Sequence, residues 1–152
     1  MERTRNRSVT LTIIAMMVAS AAAASAYAEP DEALYRLRER CGRQATEWFE
    51  KDWGRSGIVN TDDGQMIANF ENHYNTKLNT CFAMLSTTHI KTKPKTAKPT
   101  VFSTLSLFDV LNNKTVGEFF GGGEFPVTCV VSATICYSQI EWQTLVKPYM
   151  EQ

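Results

Sequence analysis

Glu71 and His73 are the two side chains whose types and spacing could do chemistry together. A carboxylate beside an imidazole can fix one tautomer and raise its basicity, which would make His73 a general base. The chain has only 2 histidines, and any serine or cysteine nucleophile would need one of them as its base. Tyr74 and Asn75 follow directly and could contribute an aromatic surface and an amide. The same residues also suit a structural role. Tyr74 would pack in a core, and His73 and Asn75 would hydrogen-bond a turn. A second candidate is the basic segment Lys91–Pro99, where Lys91, Lys93, Lys95 and Lys98 could meet an anionic surface. Two prolines and little apolar content make a solvated connector the simpler reading of that segment.

Other catalytic and ligand-binding signatures fail on spacing. Placing Gly64 at the sixth position of a calcium loop puts Val59 first and Phe70 twelfth, and neither side chain can bind calcium. Gly54-Arg55-Ser56-Gly57 is one residue short of a nucleophile elbow and follows a helical pattern rather than a strand. Gly121-Gly122-Gly123 is not followed by Gly-Lys-Ser/Thr, so it is no phosphate loop. Glycosidase chemistry needs two carboxylates roughly 5–10 Å apart. Nothing in the sequence joins Asp109, Glu118 or Glu124 into such a pair. No cofactor or metal is expected, since Cys-x-x-Cys is absent and neither histidine stands at ligand spacing from a cysteine.

The beginning of the chain reads as an export signal. Arg3, Arg5 and Arg7 precede an uncharged apolar run from Val9 to Ala24, and Ala26-Tyr27-Ala28 fits small-x-small cleavage. Cleavage between Ala28 and Glu29 would leave 29–152 as one small domain, periplasmic or secreted. No later apolar run is long enough to span a bilayer. The formal net charge is zero, and losing residues 1–28 shifts it slightly negative. Nucleic acid is therefore an unlikely partner, because such binders need a strong positive field. In an exported chain, the 4 cysteines read as two disulfides. Three pairings are possible. Cys41–Cys81 with Cys129–Cys136 is favoured, because the second pair is close in sequence and spans a bend.

The elements that must position these residues follow from periodicity. Leu34, Leu37, Cys41, Ala45 and Trp48 recur at helical spacing between Pro30 and Trp53. Gly54–Gly64 reads as a loop of turn formers. Met66–Tyr74 and Leu78–Ile90 read as strands joined near Asn75-Thr76-Lys77. In that register Glu71 and His73 share one face and Tyr74 takes the other. Thr100–Phe120 reads as a hairpin turning at Asn112-Asn113-Lys114, with Leu105 and Leu107 opposed to Phe108 and Val110. Pro126–Val131 is a further strand, with Val127, Cys129 and Val131 on one face. Ser138-Gln139-Ile140-Glu141 is a capping box opening a second helix that Pro148 should end or kink.

The expected fold is α+β: an N-terminal helix, an antiparallel sheet of about five strands, and a C-terminal helix on one sheet face. The absence of a catalytic signature favours a non-catalytic binding or inhibitory module, acting on another envelope protein or a cell-wall component. A small hydrolase using Glu71 and His73 is the alternative, and a structural envelope protein is a third.

Overall fold

A computed structural model describes residues 31–92, 100–121 and 126–151. The expected signal segment and its cleavage point lie outside these residues, as do Lys93, Lys95 and Lys98 and most of the triglycine. The contacts group Ala33–Gln152 into one unit. Among the described residues it comprises helix α1 (Glu32–Trp53), strands β1 (Ile58–Thr61), β2 (Gly64–Asn75), β3 (Thr80–Lys91), β4 (Thr100–Asp109), β5 (Lys114–Gly121), β6 (Thr128–Val131) and β7 (Thr134–Ile135), and helix α2 (Gln139–Met150). The strands form one antiparallel meander in which each pairs with its neighbours in sequence. Neither helix is long and apolar enough to cross a membrane.

The sheet therefore has seven strands rather than about five. One extra strand is β1, inside the expected loop Gly54–Gly64. The β-branched run Ile58-Val59 pairs with Ile67 and Met66, and its signal was masked by the turn formers around it. The other is the two-residue β7, which pairs with Val130 and Val131. Gly57 admits β1 to the sheet. Its φ is +63°, and a Cβ there would stand 2.3 Å from the Ala68 carbonyl oxygen, which only glycine avoids.

Alternation along the strands sends side chains to two cores, one under each helix. On one face, α1 packs Cys41, Ala45 and Phe49 against the sheet. Phe49 stacks on Phe70 at 4.6 Å, and Trp48 meets Phe108 at 4.8 Å. Cys41 is bonded to Cys81 across 40 residues of sequence, which pins the helix to β3. On the other face, Phe82, Leu107, Cys129, Val131, Trp142 and Val146 form the core beneath α2. The Cys129–Cys136 bond closes the bend before this helix. Leu105 and Leu107 belong to the α2 core, while Phe108 and Val110 belong to the α1 side. Val127 is exposed and precedes β6, so it does not share the inward face of Cys129 and Val131.

Ser138 caps α2 by accepting from the Glu141 amide at 3.2 Å. The Glu141 carboxylate reaches back to the Tyr137 amide at 2.7 Å, one residue before the usual capping-box partner. Pro148 does not end this helix, which continues to Met150. A proline in the last turn forfeits a single backbone bond. The Glu151 amide still closes on the Lys147 carbonyl at 3.0 Å.

Candidate functional site

The odd-numbered side chains of β2 point to the α2 face, because Tyr74 and Ala68 point to α1. Glu71 and His73 therefore look toward α2, opposite Met84 and Phe82 of β3 in register. From α2, Gln143, Val146, Lys147 and Met150 fall three and four residues apart and form a stripe facing them. Between strand and helix lies a hollow of about 370 Å³, lined by Glu71, Asn72, His73, Met84, Gln143, Val146, Lys147, Met150 and Glu151. Val146 is buried and Met84 and Met150 are half-buried, so the floor is apolar. Glu71, Gln143, Lys147 and Glu151 are exposed around it, with His73 half-buried.

Asn75 holds this hollow in shape. Its side chain is fully buried. Its Nδ2 donates to the Pro148 and Tyr149 carbonyls at 2.8 and 3.2 Å, and its Oδ1 accepts from the Leu78 amide at 2.9 Å. One amide thus caps the β2–β3 turn and satisfies two carbonyls at the end of α2. On the far face, the Tyr74 hydroxyl donates to Asn79 Oδ1, and the ring is 7% exposed against Cys41 and Cys81. Tyr74 is a core residue and offers no ligand platform.

The structure brings Glu71 and His73 into one hollow and adds Lys147 and Glu151, which the sequence reading did not connect with them. The available signal was the stripe 143, 146, 147 and 150, but nothing local says which strand it faces. The lining contains no hydroxyl or thiol. It can offer ion pairing of both signs, amide hydrogen bonds, apolar contact, and proton transfer through the imidazole and carboxylates. Among the described residues, no group of three or more His, Cys, Asp and Glu could hold a metal. Asp109 is engaged by Asn112 at 2.7 Å in the β4–β5 turn. Glu118 pairs in register with Ser106 on the face opposite Leu105, so it points away from the hollow.

Lys91 is not part of this site. It ends β3, nine residues beyond the strand partner of His73, roughly 30 Å away along the strand. Its ammonium pairs with the Asp63 carboxylate at 2.8 Å and lies 5.8 Å from the centre of the Phe102 ring. The hydrogen bond from Lys91, followed by that from Thr61, holds the Asp63 carboxyl below the usual carboxylate range.

No family model, curated protein or solved structure matches this chain. Its function must therefore be argued from its own geometry.

Proposed function

We propose that this chain is an exported binding or inhibitory module of the periplasm or cell envelope. It would present the hollow between β2 and α2 to another envelope protein or to a cell-wall component. The observation that carries this reading is the lining of the hollow. An apolar floor of Met84, Val146 and Met150 is rimmed by carboxylates, an ammonium and amides, without a hydroxyl or thiol nucleophile. Recognition sites combine apolar area with a few fixed polar groups in this way. The two disulfides favour it as well, since a rigid scaffold loses little entropy on binding. A second reading, a small hydrolase, draws on one specific feature: Glu71, Glu151 and His73 share the hollow, so an acid and a base could act on one bound molecule.

The test pairs capture with catalysis. The tagged protein is used to capture partners from envelope extract, alongside Met150→Glu, which puts a charge on the floor. A partner identified with the wild type and lost with Met150→Glu supports binding. Hydrolysis of cell-wall polymer by the purified protein, abolished in His73→Ala, with no partner retained, would overturn it in favour of the enzyme.

A further inference from the structure

β1 covers only part of β2. Its pairs run from Ile58–Ile67 to Thr61–Gly64, and the Ala68 amide closes on the Gly57 carbonyl at 2.7 Å. Among the described residues no strand lies beside Asn69–Asn75. The direction of the backbone groups there follows from two printed bonds. Ala68 donates away from β3, toward Gly57. On the other side of the hairpin, Cys81 accepts from Val110 with its carbonyl turned away from β2, so its partner Tyr74 also points its groups outward. By alternation Phe70, Asn72 and Tyr74 present N–H and C=O along the open edge. Such an edge is a template for another strand.

We infer that two copies of this chain pair edge to edge through Asn69–Asn75, antiparallel about a twofold axis at Asn72. A twofold axis makes identical edge strands antiparallel, and outward-pointing residues must then face each other. This leaves three compact registers, centred on Glu71, Asn72 or His73. The first sets Glu71 against the partner's Glu71, and the last sets His73 against the partner's His73. Like pairs directly opposite are destabilising, and opposite charges favourable. Only the register at Asn72 sets each Glu71 against the partner's His73, twice. It also uses the whole open stretch, since Asn69 then meets the partner's Asn75. The two ends are apolar: Ile58 opens β1 and Leu78 lies in the turn after β2, and they are 45% and 52% exposed. The twofold axis brings the Ile58 end of one copy to the Leu78 end of the other. The two hollows, each beside Glu71 and His73, become one continuous groove across the axis. The pairing does not depend on what the hollow binds.

Sedimentation equilibrium of the oxidised protein tests this. An edge contact is a small interface, so a dissociation constant of about 1–100 μM is expected. Asn72→Pro removes an N–H that serves no bond within the chain, and proline is tolerated on edge strands. It should weaken the dimer about tenfold or more with the circular dichroism unchanged. Glu71→Lys should weaken it about tenfold, and Glu71→Lys with His73→Glu should restore it by exchanging the two charges. A chain that stays monomeric at about 500 μM overturns the proposal. A dimer indifferent to both single variants overturns it too, as does a charge exchange that restores nothing. Protection of the Phe70, Asn72 and Tyr74 amides from hydrogen exchange only when another protein's peptide is added would also overturn self-pairing.

Discussion

The two helices sit on the sheet in different ways. α1 has 22 residues and seats Cys41, Ala45 and Phe49 in the sheet, with a covalent bond at its centre. α2 has 12 residues and seats Trp142 and Val146. Its last turns lean over charged residues of β2 instead of apolar ones. The α1 contact is closed and apolar, which suits holding the fold together. The α2 contact is closed at Trp142 and open at Lys147, where the hollow lies. A helix whose second half packs on Glu71 and His73 sacrifices burial there, and the open, polar half of the α2 contact is where a ligand site fits.

The largest test of this contrast removes each helix's disulfide in turn. Replacing Cys41 and Cys81 by Ala opens a loop of 40 residues and should cost about 4 kcal/mol on the chain-entropy model. Replacing Cys129 and Cys136 by Ala opens one of 7 and should cost about 2.5 kcal/mol. Denaturant unfolding of both double variants gives the two numbers. Equal losses would break the claim that α1 is the principal brace.

Asn75→Ala should cost about 2 kcal/mol, because it leaves buried carbonyls and a turn amide without partners. The loss should be local to the α2 contact. Hydrogen exchange should quicken at Leu78 and in the last turn of α2, with the amides of α1 unchanged. Uniform acceleration in both helices would mean that the two contacts are not independent.

Much of this architecture was legible in the sequence. Helical spacing from Leu34 to Trp48, alternation through Leu105–Val110 and the Ser138–Glu141 pattern are each local signals, and each is set by the element that contains it. The β2–β3 hairpin was legible because β-branched residues flank Asn75. Two things escaped. β1 is short and lies among glycines and aspartates, so its strand character comes from pairing with β2 rather than from its own run. The end of α2 is held by Asn75, 73 residues away from Pro148, so Pro148 read as a stop while tertiary bonds carried the helix past it. The site divides likewise. Glu71 and His73 were visible as a pair by alternation, but Lys147, Met150 and Glu151 join them only through the crossing of α2 over the sheet.

Ser138→Ala tests a smaller contribution on the α2 side. Losing this cap should cost about 1 kcal/mol, and the loss should appear in the first turn of α2, away from the hollow. An altered capture of ligand by this variant would tie the two ends of the helix together and blur the division between the closed and open halves.

The smallest effect is expected at the far end of the β2–β3 hairpin, where Lys91 and Asp63 meet in solvent. Their side chains are 46% and 57% exposed. Solvent screening and side-chain entropy leave such pairs with little net stability. Asp63 has a depressed pKa when folded, so its contribution exists at neutral pH and is lost as pH falls through the folded value. Lys91→Ala should therefore raise the Asp63 titration midpoint toward the ordinary carboxylate range, read by carboxyl NMR. The denaturation midpoint at pH 7 should not move measurably. Asn75 and Lys91 mark the two ends of one hairpin, and both are well bonded. Burial alone decides that one of them matters to the fold, since the buried amide has no water to turn to and the exposed ammonium does. A clear loss of stability in Lys91→Ala would show that this end of the hairpin is held by charge.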